Sequence, residues 1–184
     1  MEILCLEFIN TLWHTTHKPF EDPLDSVSWV DSFCEKWDFP RIDSSGHALA
    51  EMRELRAFLY SAMLELTSHA DLSDAVLDRM TVYLQSVRVS TCLEKREGKL
   101  MMSIIPENFN SYWIIQRIAT SFAHMVTSYP LERIKKCNNP ECNWFFYDES
   151  KSKTRKWCEN SCASLIKVRR FREKNKSQYR STSG

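Results

Sequence analysis

With 184 residues, 43% of them hydrophobic and 27% charged, the chain can form one full domain and a small appended one, which excludes a largely disordered protein. It has only three glycines and no run approaching eighteen apolar residues, which argues against a glycine-rich nucleotide-binding loop and a membrane-spanning helix. Residues 1–130 carry 11 basic and 18 acidic side chains whereas residues 131–184 carry 14 and 6, so we expect a domain boundary near residue 130 and polyanion binding by the basic part alone.

The acidic part is predicted to begin with four helices. Apolar residues at intervals of three and four predict helices over residues 4–13 and 47–66. A third helix is predicted to begin with a capped entry at Asp71-Leu72-Ser73 and to carry a buried stripe from Val76 to Val87. A shorter helix is expected over residues 29–37, where Ser28 is placed to cap its start. The spacing therefore indicates a mainly helical first domain.

A change of periodicity follows these helices. Residues 87–93 and 99–105 are rich in β-forming residues and flank a turn that contains Gly98, which is typical of a β-hairpin. A last helix begins after Asn108 or Asn110 and completes the domain. The predicted fold class is mainly α, with a small β-hairpin in this amino-terminal domain.

Four of the seven cysteines form two close pairs, Cys137-x4-Cys142 and Cys158-x3-Cys162. Thiolates in two tight pairs are typical ligands of a tetrahedral structural zinc ion. The odd number of cysteines and their clustering favour metal binding over a disulfide framework, and the other three are interpreted as buried, inert thiols. We therefore predict one structural Zn2+ ion per chain. Because four protein ligands leave no open coordination position, the zinc is not expected to be catalytic.

The residues around the cysteines predict a treble-clef-like zinc finger. Strands over residues 144–147 and 154–157 would form a β-hairpin, and a helix over residues 162–176 would direct its amino terminus at the anionic metal cluster. Without metal, residues 137–176 should be largely unfolded. The domain boundaries are then 1–130, 131–176 and a flexible tail over 177–184.

The predicted helix of the finger is basic. At 100° per residue, Leu165, Val168 and Phe171 share a stripe, which we expect to pack on the zinc hairpin so that two basic rims point outward. Two such rims suit a helix that lies in a duplex groove between phosphates, and the alternative is a solvated helix end. The residues predicted to contact nucleic acid are Arg155, Lys156, Lys167, Arg169, Arg170, Arg172, Lys174 and Lys176.

The segment CNNPECNWFFYDESKSKTRKWCENSC, followed by IKVRRFREK, resembles the CGNR zinc-finger family. The family pattern has C-x4-C-x-W-x-F-x-D-x-S, a basic stretch, a W-C pair, and a final C-G-N-R before a basic helix. The matching positions are Cys137, Cys142, Trp144, Phe146, Asp148, Ser150, Arg155, Trp157, Cys158, Cys162 and Lys167. The chain departs from the family at Ala163-Ser164-Leu165, which replace Gly-Asn-Arg, so it resembles a diverged member.

The start of the chain resembles a second family. LEFINT, from Leu6 to Thr11, is similar to the LDFVNT-like opening of the ABATE domain that accompanies this type of finger. Proteins with this combination are regarded as bacterial transcription regulators. The resemblance therefore implies a zinc-containing regulator that binds DNA through its carboxy-terminal finger.

The leading hypothesis is a cytoplasmic transcription regulator that is neither an enzyme nor a membrane protein. No G-x-S-x-G, H-E-x-x-H or comparable catalytic motif is present in the sequence. The amino-terminal domain would form a homodimer or hold a small apolar ligand among its aromatic residues. Those aromatic residues include Trp13, Trp29, Trp37 and Trp113.

Two alternatives remain open at the level of sequence. The zinc unit would serve as a scaffold for protein interaction, because closed zinc sites support protein contacts as well as nucleic-acid contacts. Alternatively, it would bind RNA, with Trp144, Phe145 and Tyr147 as stacking platforms for bases.

Overall fold

The computed structural model describes residues 2–17, 20–41, 46–108 and 110–181. The chain divides into two compact units, residues 2–131 and the residues from 132 onward. The helices and strands are α1 (Leu4–Asn10), α2 (Leu12–Thr16), α3 (Val27–Lys36), α4 (Gly46–His69), α5 (Asp74–Leu84), β1 (Val89–Arg96), β2 (Lys99–Pro106), α6 (Ser111–Ser128), β3 (Ile134–Lys136), β4 (Phe145–Tyr147) and α7 (Asn160–Ser181). Within these described ranges, no helix has the length and apolar character needed to cross a bilayer.

The core of the first unit lies among α1, α4 and α6, each of which contacts the other two. The backbone N–H of Cys5 in α1 donates to Ser121 Oγ of α6 at 3.2 Å, which joins two ends of the unit that are distant in sequence. The large side chains that are fully buried here include Phe8, Ile9, Met52, Leu55, Leu59, Met63, Ile114, Ile118 and Phe122. The prediction of a mainly helical fold with a small β-hairpin is confirmed.

The first predicted helix is divided into α1 and α2 at Thr11. The Thr11 hydroxyl donates to the carbonyl oxygen of Phe8 at 2.7 Å and accepts from Arg56 Nη1 at 3.0 Å. A hydroxyl that donates to the carbonyl oxygen three residues earlier competes with the backbone hydrogen bonds of the helix, so the helix ends at Asn10. The prediction of one continuous helix over residues 4–13 is therefore wrong.

Arg56 belongs to a buried ion pair at this break. Arg56 is 4% exposed, and its guanidinium binds both carboxylate oxygens of Asp22, with Nη1 donating to Oδ1 at 2.7 Å. Because a buried guanidinium requires several acceptors, Thr11 and Asp22 together satisfy it. The Leu6 to Thr11 motif thus ends in a polar network that connects α1, the segment before α3, and α4.

Side-chain caps mark the starts of α3 and α6, whereas the predicted cap Ser73 before α5 makes no such hydrogen bond. Ser26, rather than the predicted Ser28, caps α3, because its Oγ accepts from the backbone N–H of Trp29 at 3.3 Å. Asn110 caps α6 in the same way, with Oδ1 accepting from the N–H of Trp113 at 3.3 Å. Ser28 lies inside α3 instead.

Strands β1 and β2 form an antiparallel hairpin with Val89 opposite Pro106 and Arg96 opposite Lys99. The two turn residues have positive φ, 48° at Glu97 and 81° at Gly98, which is the backbone of a tight hairpin turn. The hairpin is confirmed, with β1 beginning two residues after its predicted start and both strands ending beyond the predicted ranges.

In the second unit, β4 pairs with β3 and not with residues 154–157 as predicted. Lys135 stands opposite Phe146, and residues 137–144 form the loop between the two strands. The segment 154–157 forms no strand, and its backbone is held instead by Asn138, whose N–H donates to the carbonyl of Lys156 at 2.8 Å, and by Asp148, which accepts from the N–H of Arg155 at 3.0 Å. Helix α7 continues to Ser181, beyond the predicted end at 176, so the predicted flexible tail is helical as far as 181. Its last residues, 182–184, lie outside the described residues.

Candidate metal centre

The β3–β4 hairpin and the start of α7 each supply one pair of cysteines. Cys137 directly follows β3, and its N–H donates to the carbonyl of Trp144 at 2.8 Å, while Cys142 N–H donates to Asn139 at 2.9 Å. Both bonds close the loop into a tight knuckle that directs two thiols to one side. Cys158 precedes α7, and Cys162 lies in its first turn. The sequence therefore places two ligands on a turn and two at a helix start.

The four sulfur atoms form a cluster with the dimensions of a tetrahedral zinc site. All four Sγ atoms lie within 4.8 Å of one another. Cys142 Sγ is 3.5 Å from Cys158 Sγ, which is 3.7 Å from Cys162 Sγ. A zinc ion with four sulfurs at about 2.3 Å places them about 3.8 Å apart, so the cluster fits zinc. No pair is a disulfide, and the chain carries one structural zinc site of four cysteines.

The electrostatics of the thiols suit a cation at their centre. Burial raises the pKa of Cys142 to about 12 and also raises that of Cys158, where neighbouring sulfur atoms add to the effect. Burial likewise opposes ionisation of Cys162, but hydrogen bonds from Asn139 and the nearby thiols lower its pKa below the ordinary value. A bound dication reverses the cost of ionising clustered thiols, because it attracts each thiolate.

Asn139 supports the cluster, although the sequence analysis did not single it out. Its side chain is 4% exposed, and Nδ2 lies 3.5 Å from Cys162 Sγ while Oδ1 accepts from the N–H of Glu141 at 3.3 Å. It therefore links the knuckle to the ligand on α7. The only indication of this role in the sequence is its position as a polar residue between Cys137 and Cys142.

Asp148 organises the loop that leads to the second pair of cysteines. It is fully buried, and its carboxylate accepts from Lys135 Nζ at 2.6 Å, from Ser150 N and Oγ at 2.9 and 2.6 Å, and from Arg155 N at 3.0 Å. Burial alone would raise its pKa, but these donors hold the pKa of Asp148 well below its usual range. The Asp-x-Ser pattern noted in the sequence thus connects the end of β4 to the loop that leads to Cys158 through hydrogen bonds.

The variant Asp148→Asn should weaken zinc binding although it touches no ligand. The amide loses the charge that pairs with Lys135, which costs about 1.5–3 kcal/mol. Because metal binding and folding of such a unit are coupled, zinc affinity should fall roughly 10- to 100-fold. Competition with a chromophoric chelator measures this change. The variant Glu173→Gln removes the same charge from an exposed side chain of α7 and should leave the affinity unchanged, and an equal loss in both variants would contradict this role.

Arg155, predicted to contact nucleic acid, is engaged within the finger. Its Nε donates to the carbonyl of Trp157 at 2.9 Å, and Nη2 donates to the carbonyl of Cys158. The guanidinium also lies 5.0 Å from the centre of the Phe146 ring. Arg155 therefore positions the backbone of a zinc ligand, which is a role that its charge alone did not suggest.

The apolar stripe of α7 does not pack on the hairpin as predicted. Leu165, Val168 and Phe171 are 51%, 47% and 64% exposed. The side of α7 that faces the finger is fixed by Cys162, and Arg169, two turns along, forms an ion pair with Glu141. The stripe that was predicted to pack on the hairpin therefore lies on the solvent-exposed side of α7.

The remaining predicted cations lie on the surface of the second unit. Lys156, Lys167, Arg170 and Arg172 are exposed, whereas Arg169 is held by Glu141. The side chains of Lys174 and Lys176 lie outside the described residues. Ser164 and Leu165, which replace the Asn and Arg of the family pattern, are exposed and take no part in the sulfur cluster.

Comparison with protein families gives two matches, one for each unit. The model of the CGNR zinc finger family matches residues 133–175. The model of the ABATE family, described as "Putative stress-induced transcription regulator", matches residues 2–129, which is more than half of the chain. A search of curated proteins finds no significant match. These families are of the regulator and zinc-finger types. The chain therefore belongs to the ABATE family and carries a CGNR zinc finger at its carboxy-terminal end.

Proposed function

We propose that the protein regulates transcription by binding DNA through α7 of the zinc finger. The observation that carries the proposal is a set of exposed cations on a helix that the zinc site fixes at its first turn. Lys167, Arg170 and Arg172 are exposed and have no acidic partner among the described residues. Because the finger region carries 14 basic and 6 acidic residues, its field attracts a polyanion.

The outer face of α7 combines cations with apolar side chains. At 100° per residue, Val168 and Phe171 lie between Lys167 on one side and Arg172 on the other, opposite the side that carries Cys162. In a major groove, cations at the rims reach phosphates while apolar side chains meet base edges, including thymine methyl groups. A merely solvated helix end does not explain why Phe171 is 64% exposed.

The same apolar residues favour a second candidate, a zinc-scaffolded protein-interaction module. A helix with exposed Leu165, Val168 and Phe171 offers three apolar side chains at intervals of three. The RNA alternative has less support, because Phe145, one of its three proposed stacking residues, is fully buried. DNA binding is favoured over protein docking by the density of cations around the apolar residues.

The salt dependence of binding to random duplex DNA tests the proposal. Six predicted cations remain after Arg155 and Arg169 are set aside, so log K should fall with log salt at a slope of roughly −5.4. Replacing Lys167, Arg170 and Arg172 by Ala should reduce the slope to roughly −2.7 and weaken binding. Fluorescence anisotropy between about 50 and 200 mM salt measures both quantities.

A charge-preserving variant provides the control. Lys167→Arg, Arg170→Lys and Arg172→Lys keep all charges and should keep the slope. A flat salt response, or equal affinities for the wild-type and alanine proteins, would refute DNA binding by α7 and favour the protein-interaction candidate. Tighter binding to single-stranded RNA than to duplex DNA would favour the RNA candidate.

The function of the first unit follows from this proposal. A regulator of this kind would work in the cytoplasm, on the nucleoid, with residues 2–131 as the part that senses a signal or forms a dimer. Trp29 lines a cleft of about 550 Å³ and Trp37 a separate one of about 320 Å³, whereas Trp113 is buried. The small apolar ligand remains a prediction, and these tryptophans do not line a common cleft among those described.

A further inference from the structure

The two faces of the β1–β2 hairpin differ in composition, because one is mostly apolar and the other mixes polar residues with Met101 and Ile105. The register places odd-numbered residues of β1 and even-numbered residues of β2 on the same side. On the other side, Glu94 pairs with Arg96 at 2.8 Å and accepts from Ser103 Oγ. We call the first side the apolar hairpin face, and it consists of Val89, Thr91, Leu93, Lys95, Leu100, Met102 and Ile104.

The apolar hairpin face is exposed. Leu93, Leu100 and Met102 are 72%, 73% and 70% exposed, and Val89 and Ile104 are 43% and 40% exposed. An antiparallel sheet with alternating polar and apolar residues ordinarily packs its apolar side on a core, and a two-stranded sheet alone is marginal in water. Within residues 2–131, the outer part of this face is largely uncovered, and only its base, at Val89, Ile104 and the buried Pro106, is more than half covered.

The base of the hairpin is firmly attached to the first unit. Gln116 of α6 donates through Nε2 to the carbonyls of Leu84 and Val87 at 2.6 and 2.9 Å. Glu107 N–H donates to the carbonyl of Arg88 at 2.9 Å. These hydrogen bonds fix the base of the hairpin against α6 and the end of α5.

We propose that this face packs on the same face of a second copy of the chain, so that two hairpins form a two-layer β-sandwich across a twofold axis. The five apolar residues leave roughly 600 Å² exposed on each copy, given roughly 200 Å² for a fully exposed large apolar residue. Burying two such faces removes up to roughly 1,200 Å², which meets the minimum of about 1,000 Å² for a specific interface.

Charge favours a second copy as the occupant. Residues 89–106 contain three basic and two acidic side chains, whereas the rest of residues 1–130 contains 8 basic and 16 acidic ones. If the hairpins run antiparallel, the tip, where Lys95, Arg96 and Lys99 outnumber Glu94 and Glu97 by one, approaches the acidic body of the other copy. The central pair, Leu93 and Met102, then lies near the axis, where each copy supplies the same residues.

Sedimentation of the full zinc-loaded chain, without DNA, tests the interface. The wild-type protein should have twice the chain mass of 21.7 kDa, at concentrations of roughly 1 to 100 µM. Leu93→Lys combined with Met102→Lys should sediment as a single chain, with dimerisation weakened at least about 100-fold. The matched control is Met101→Lys combined with Ile105→Lys, on the opposite face at 48% and 45% exposure, and it should remain a dimer.

Circular dichroism verifies that each variant is folded. Should the double variant unfold, Thr91→Arg places a charge on the same face and must also give single chains. A wild-type protein that sediments as one chain, a double variant that remains a dimer, or a control that dissociates equally would overturn the proposal. A single-chain wild type would mean that a different protein covers the face. Because DNA is absent, failure of DNA binding does not affect the result.

Discussion

The Cys142→Ser variant is expected to bind no zinc and to lose the folded structure of the finger, while residues 2–131 remain folded. Strands β3 and β4 have three residues each, and among the described residues the buried apolar side chains of the second unit, apart from cysteines, are Ile134, Phe145 and Phe146. So small a core needs the metal, whose binding supplies on the order of 10–16 kcal/mol at neutral pH. Metal analysis should give one zinc per wild-type chain and none per variant, with a loss of helical circular dichroism.

The control for this variant is Cys92→Ser. Cys92 is a half-buried thiol of β1 that lies outside the cluster, so this variant should retain one zinc ion and the wild-type spectrum. A chelator added to the wild-type protein should reproduce the spectrum of Cys142→Ser, and zinc should restore it. Tight zinc binding by Cys142→Ser would show that the four cysteines do not act as one site.

The Arg56→Met variant should lower the free energy of unfolding of the first unit by about 3–5 kcal/mol, because it removes the buried guanidinium that binds both oxygens of Asp22 and leaves only Arg53, 3.7 Å away, as a counter-charge. The Asp22 side chain is only 14% exposed. Arg53, three residues earlier in α4, is the matched control. Its side chain is 36% exposed, pairs with the exposed Asp25 and reaches Asp22 only at 3.7 Å, so Arg53→Met should cost less than about 1 kcal/mol. Urea unfolding followed by tryptophan fluorescence measures both values.

The difference between wild type and Arg56→Met should also depend on pH. Burial alone would raise the pKa of Asp22, but hydrogen bonds from Arg56 and Leu24 and the charges of Arg56 and Arg53 lower it. A depressed pKa in the folded state contributes stability that is complete above the unfolded value, about 4, and is lost as the pH falls through the folded value. The difference should therefore be constant above about pH 5 and shrink below pH 4. An equal difference in the free energy of unfolding above pH 5 and below pH 4 would mean that Arg56 acts through packing alone.

The sequence predicts the zinc ligands because the spacing of thiols directly reflects coordination geometry. Strand propensity does not reveal which segment pairs with β4, because residues 134–136 and 154–157 are both short candidates for a strand. The pairing is decided by the knuckle, whose bond between Cys137 and Trp144 returns the chain alongside β3. The knuckle is itself a hairpin turn, so the first two cysteines already contained that information.

The orientation of α7 was mispredicted for a related reason. Helical periodicity shows that Leu165, Val168 and Phe171 share a side, but it does not show which side is covered. In a unit this small, the metal ligand determines the orientation, so the covered side is the one that includes Cys162 and positions four and seven residues later. Likewise, the charge of Arg155 could not distinguish a phosphate contact from a bond to backbone carbonyls.

Helix α7 runs for 22 residues, but the zinc site holds only its beginning. Residues 170–173 are all exposed, so this stretch of the helix depends on its own helical hydrogen bonds, and isolated helices of fewer than about 12–15 residues are marginal in water. Any molecule that binds this segment must also keep it helical. Its affinity is therefore lower than the contacts alone would give, and the helical signal of the protein should rise with occupancy.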